Sequence, residues 1–228
     1  MNFKNNSQIF NDNNLQGLYQ DFVKVTKQVA EQFVLNFNSE PISISYDRQT
    51  NKKIIYTKTN ETIKYNTNKW ESKFIVCGST NSLTVIDLDD LNTEACQKML
   101  PLLLDEASMF VKTKNGYHFY FLYNEKLKSR CGTKLGYDIL NDNCNAIAPN
   151  SYYVDSDDEL ITYQLFVHQH ILEDVNSNNI SFAEISEELI NLINSYETQP
   201  KKKNFVKIPK MFLTNDNIQE TNQPIKLI

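Results

Sequence analysis

Between residues 42 and 166 the chain is a succession of short segments rich in β-branched and aromatic residues, each broken by a polar turn before it reaches helix length. ISISY (42–46), KKIIYTK (52–58), ETIKYNT (61–67), KFIVCG (73–78), SLTVIDLDD (82–90), MFVKTKNGYHFYFLY (109–123), LGYDIL (135–140), CNAIAP (144–149) and ELITYQLF (159–166) all read this way. Such segments fit strands, and tight polar turns between them favour antiparallel neighbours. Hairpins are expected for 52–58 with 61–67, with Trp70 as a packing anchor just beyond, and for 109–123 folded about Lys114-Asn115-Gly116. A further hairpin is expected for 135–140 with 144–149, and a small polar turn joins 73–78 to 82–90.

Helices are expected around this strand-rich centre. Leu18, Phe22, Val25, Val29 and Phe33 recur at three to four residues and predict a helix from Leu15 to about Asn36–Asn38. Thr93 can cap a helix beginning at Glu94, which Pro101 should break or kink. SFAEISEELINLIN (181–194) reads as the last helix, with Ser181 and Glu184 at capping-box spacing. The fold class is α+β, mostly antiparallel. Residues 1–14 read as a flexible arm, 15–198 as one domain, and 199–228, with PKKKNFVKIPK, as a basic and polar linker or tail.

Composition narrows the function classes. A chain of 228 residues buries roughly 70% of its unfolded surface without a disulfide or zinc staple. No run approaches ~18 apolar residues, so no membrane span is expected, and the polar start MNFKNNSQIFNDNN lacks the apolar core of a secretion signal. Cys77, Cys96, Cys131 and Cys144 form no C-x-x-C pair, which fits reduced thiols in a cytosol-like compartment. The net charge of −5 gives no globally basic face, although a local groove can still bind nucleic acid. Arg48 and Arg130 are the only arginines among 23 basic residues, and Asn, Ile, Lys and Tyr abound. That bias implies AT-rich coding, as in large DNA viruses, virophages, some protists and some bacteria, and inclines the source towards a large DNA virus or related mobile element.

The residues suited to chemistry lie in strands. In LTVIDLDD, Asp87 and Asp89 share one face with Leu83 and Val85, so two carboxylates end an apolar row. They repel one another and are costly to desolvate without a counter-charge, which a divalent cation supplies. Asp138, between Tyr137 and Ile139, can complete a three-carboxylate site of the kind that holds two metals ~3.5–4 Å apart. His118 follows a turn containing Lys114 and Gly116, whose backbone amides suit phosphate oxygens. Taken singly, each has an ordinary explanation: a strand-end turn, a half-buried histidine, an isolated strand aspartate.

Taken in order, TVIDLD, GYH and YDIL resemble the three motifs of the archaeo-eukaryotic primase superfamily, most closely its primase-polymerase branch. CGSTNS before the first motif, VKTKNG before the histidine, and NAIAPNSYY after the third extend the likeness over roughly Ile75–Phe166. The resemblance implies an RRM-like antiparallel catalytic sheet flanked by helices, with a smaller N-terminal α/β module. It implies that Asp87, Asp89 and Asp138 bind two Mg²⁺ or Mn²⁺ ions. His118, Lys114, Gly116 and Ser151 would then bind nucleotide, Tyr163 would fill an aromatic position, and Lys134 or Arg130 would stand in for a basic residue after the third motif. Gly116 replaces the family's usual serine, which removes a hydroxyl contact. The implied activity is DNA priming or primer extension with NTPs or dNTPs on single-stranded DNA, alongside a helicase fused or in trans, at a viral replication site in a host.

Alternatives are a catalytically silent single-strand-binding module using Tyr117, Tyr120 or Tyr152 as stacking platforms, and a nickase built on His168-Gln-His170. The run Asp155, Asp157, Asp158, Glu159 lacks the turn glycine of a calcium loop and reads as a solvated hairpin turn. Lys201–Lys203 can touch nucleic acid, and there is no P-loop.

Overall fold

The computed structural model describes residues 19–50, 52–57 and 72–197, all within a compact unit that ends at Thr198. The 1–14 arm, the strand expected at 61–67, Trp70 and the 199–228 tail lie outside the described residues.

The molecule is α+β with mainly antiparallel sheets. A six-stranded sheet runs in the order β1 (Phe22–Lys24), β12 (Gln164–His168), β6 (Met109–Lys112), β7 (Tyr117–Leu122), β5 (Leu83–Leu88), β8 (Tyr137–Leu140). A four-stranded sheet runs β3 (Lys52–Thr57), β2 (Ser39–Asp47), β4 (Ser72–Val76), β9 (Asn145–Ile147), and β10 (Tyr152–Val154) pairs with β11 (Leu160–Thr162). The helices are α1 (Lys27–Val34), α2 (Glu94–Glu106), a short α3 (Leu172–Asn176) and α4 (Glu187–Glu197). Because β5 and β6 both pair antiparallel with β7, they run parallel to one another, joined through α2 with β7 inserted between them. This is a split β-α-β arrangement.

Period-two alternation explains the layering. On one face of the large sheet Ile86, Leu88, Phe119, Phe121 and Ile139 pack with Met99 and Leu103 of α2 and Leu189 and Ile193 of α4. On the other, Leu83, Val85, Tyr120 and Leu140 pack with Phe33 of α1, Ile75 of β4 and Tyr163. Strand β5 is therefore covered on both sides, which is why LTVIDL reads as a near-continuous apolar run.

Several expectations are corrected. The first helix is not continuous: β1 precedes α1, which starts at Lys27 with the Thr26 hydroxyl accepting from Val29 N. Phe22 joins the core on one face of the large sheet and Val25 and Phe33 the core on the other, which a single helix could not span. Helix α2 keeps its Thr93 cap but runs unbroken past Pro101, whose ring sits on the exposed side. Segments 135–140 and 144–149 do not pair, because β8 joins β5 and β9 joins β4. The turn between them carries the chain from one sheet to the other, with Asn143 at φ 62 and the Asn141 amide bonded to the carbonyls of Asn124 and Leu127. Strands β4 and β5 likewise fall in different sheets.

ELITYQLF is two strands. Tyr163 interrupts it, donating its N–H to Ser151 O while its ring is buried. The last helix starts at Glu187, where Ser186 rather than Ser181 caps it by accepting from Leu189 N. Among the described residues no helix is long and apolar enough to cross a membrane.

Candidate active site

Sheet register decides the site. Asp87 of β5 lies directly opposite His118 of β7 on one side and Asp138 of β8 on the other. Partners directly across an antiparallel ladder share a face, so His118, Asp87 and Asp138 form one row over three adjacent strands. Asp89, two residues beyond Asp87, extends the site past the end of β5, where Asp90, Leu91, Asn92 and Asn115 join it around a cavity of about 380 Å³. The three carboxylates and the histidine, up to 51 residues apart in sequence, are thereby brought together.

The groups perturb one another. Burial pushes the Asp87 carboxyl up to about 7, with Lys53 opposing and Asp138 adding to the rise. Asp89 is pushed up to about 6, first by burial and then by the charge on Asp87. His118 is pushed down to about 4 by burial and by Lys53, with Asp89 pulling the other way. At neutral pH the imidazole is therefore neutral, with Nε2 3.4 Å from Asp87 Oδ2. Asp87 Oδ1 is buried with no hydrogen-bond partner among the described residues. A buried carboxylate oxygen with no partner is a hard donor of the kind Mg²⁺ and Mn²⁺ take, although among the described residues no three His, Cys, Asp or Glu side chains are gathered as a ready metal-holding group.

The surrounding backbone sets these positions. Asp138 is oriented by two amides, Gly132 N to Oδ2 at 2.9 Å and Thr133 N to Oδ1 at 3.2 Å. Gly136, at φ 82, offers its carbonyl to the N–H groups of Asp89 and Asp90 at 2.8 and 3.0 Å. Gly116 is required sterically: a Cβ there would lie 1.6 Å from the Leu88 carbonyl oxygen. The expected loss of a serine hydroxyl is thus secondary to the close approach that seats the β6–β7 turn on the end of β5.

Other expected nucleotide-binding residues are placed differently. Lys114 Nζ is held 2.5 Å from Oδ2 of Asp155, a buried carboxylate that also accepts from the backbone N–H groups of Asp157 and Glu159. The acidic run is a hairpin turn, but Asp155 is buried in it rather than solvated. The Ser151 hydroxyl is spent on the backbone of Lys73, accepting from its N–H and donating to its carbonyl, both at 3.1 Å. Lys134 is exposed in the loop before β8, and Arg130 reaches the Tyr137 hydroxyl at 3.5 Å. Tyr117 and Tyr120 are 2% and 0% exposed, so neither can stack on a base, whereas Tyr152 is half-buried. His168 and His170 bring their Nδ1 atoms to 2.6 Å at the end of β12.

Lys53 belongs to none of the sequence motifs. Cross-strand pairing of Tyr46 with Lys53 and Ile44 with Ile55 turns it to the inner face of β3, because Ile44 and Tyr46 pack on the core. Its period-two spacing with Ile55 was legible, but the identity of the facing strand was not. Tyr163, expected only as an aromatic, accepts from Lys53 Nζ at 3.0 Å and lies 5.7 Å from the His118 ring. No protein-family model matches the chain, and no curated protein matches it.

Proposed function

We propose that the protein is a template-dependent nucleotidyltransferase, a DNA primase-polymerase domain on an RRM-like sheet. The observation that carries this reading is the His118–Asp87–Asp138 row with Asp89 at its open end, in the order and strand setting of the three motifs. Asp87, Asp89 and Asp138 would hold Mg²⁺ or Mn²⁺, which when bound supplies charge neutralisation and a more acidic attacking hydroxyl.

In the reaction, a 3′-hydroxyl of primer or initiating nucleotide attacks the α-phosphorus of an NTP or dNTP. The new P–O bond forms, the bond to the β-phosphate oxygen breaks, and pyrophosphate leaves while the hydroxyl proton passes to solvent or base. His118, buried and neutral, donates a hydrogen bond to phosphate oxygen without adding a cation beside Lys53. The amides of Gly132 and Thr133 keep Asp138 from rotating as charge accumulates. The β6–β7 turn, held against Leu88 by Gly116, contributes Asn115 to the cavity beside Asp89 at the open end of the row.

The silent binding module is disfavoured by the burial of two of its three stacking tyrosines and by an unrelieved carboxylate row. The test is de novo synthesis on circular single-stranded DNA with labelled NTPs or dNTPs and Mg²⁺ or Mn²⁺. Product from the wild type, abolished in Asp87→Ala/Asp89→Ala, is expected. Absence of any incorporation, with single-strand binding intact, would overturn the reading.

A further inference from the structure

We propose that Lys53, from the four-stranded sheet, is the residue that binds the polyphosphate of the incoming nucleotide at this site, in place of Lys114. The inference rests on the nucleotidyltransferase reading and names a binding residue that the motifs do not contain.

Lys114 is committed to a buried carboxylate, Asp155, with Asp157 at 4.0 Å. Arg48 is paired with Asp158. Freeing Lys114 for phosphate would strand a buried aspartate, a strongly unfavourable exchange. Lys53 differs because its partners among the described residues are neutral: the Tyr163 hydroxyl at 3.0 Å and the ring faces of Tyr163 and Tyr153 at 5.7 and 5.9 Å. Phenol and ring faces orient an ammonium without neutralising it. Its charge is therefore directed at the site, and it acts on Asp87, Asp89 and His118 alike.

Position supports the same assignment. Tyr163 touches both Lys53 and the His118 ring, so the lysine and histidine flank one phenol on the carboxylate face of the sheet. An anion bridging between metal-holding carboxylates and the neighbouring imidazole would meet Lys53 next. The lysine is solvent-exposed, so a ligand can reach it without rearrangement of the core. The three ammonium hydrogens leave two donors after the bond to Tyr163, enough for phosphate oxygens.

The test compares wild type with Lys53→Ala, Lys53→Gln and Lys53→Arg, using dATP and dAMP with Mn²⁺ as probes in thermal-shift assays and dATP in primer extension. Wild type should be stabilised more by dATP than by dAMP. Both neutral variants should lose that discrimination and show KM for dATP raised about tenfold or more, with kcat within about threefold, as removal of a charged hydrogen bond to substrate implies. Lys53→Arg should retain most of the discrimination. If Lys53→Ala and Lys53→Gln discriminate dATP from dAMP as wild type does, the assignment is overturned while the enzyme reading stands. A wild type that responds to neither nucleotide overturns the nucleotidyltransferase reading and this assignment with it.

Discussion

Replacing Asp87 by Asn should make the metal-free protein more stable while abolishing nucleotide incorporation. The side chain is 15% exposed, one oxygen has no partner, and its carboxyl is pushed from 3.8 to about 7. A carboxyl whose folded value is raised stabilises the fold when protonated. Stability is therefore fullest below the unfolded value near 3.8 and is lost as pH rises towards about 7. At 1.36 kcal/mol per decade this amounts to roughly 4 kcal/mol at pH 8, an upper bound that local relaxation and loss of the attraction to Lys53 reduce to ~1–3 kcal/mol. Asn has the shape of the protonated acid and no charge, so it recovers that amount. For a domain of this size the gain corresponds to a rise in Tm of ~3–10 °C. The assay is thermal unfolding in EDTA at pH 5 and pH 8. The gain should be less than half as large at pH 5, and Mg²⁺ or Mn²⁺ should stabilise wild type but not the variant at pH 8. A gain independent of pH, or a loss of stability at pH 8, would refute the account of Asp87 as a strained, cation-seeking carboxylate.

Other consequences are more local. Gly116→Ala should cost ~1–3 kcal/mol, seen as a lower denaturation midpoint, because its methyl would overlap the Leu88 carbonyl; wild-type stability would contradict the seating of the turn on β5. Lys114 holds the Asp155 carboxyl below its ordinary value, so its stabilisation is complete above pH ~4 and lost as pH falls further. Asp155→Asn should be less stable than wild type at pH 7 and converge with it in acid; parallel pH profiles would exclude the pair as the source. Cys131 and Cys144 hold their Sγ atoms 3.4 Å apart, so mild oxidation with diamide, which takes up the two thiol hydrogens, should join them. Peptide mapping should then find a 131–144 linkage that Cys144→Ser lacks.

The amino-acid sequence by itself determined the strand-rich α+β character, the β6–β7 hairpin, the Thr93 cap and the four chemical groups, because each depends on neighbours within a few residues. Alternation placed Asp87 and Asp89 on one face, and a glycine-containing turn preceded His118. Partner choice was beyond its reach. Whether β8 folds back on β9 or crosses to β5 is decided by which surface buries Tyr137 and Ile139, and local pattern is the same in both cases. The same holds for the N-terminal segment, where apolar residues at helical spacing belong to opposite faces of one sheet. Only the tertiary structure brought Lys53 to the Tyr163 hydroxyl, tied Lys114 to Asp155 and spent Ser151 on the backbone of Lys73. A charged or hydroxyl side chain is committed by whatever long-range partner satisfies it first, and that partner is set by packing rather than by spacing.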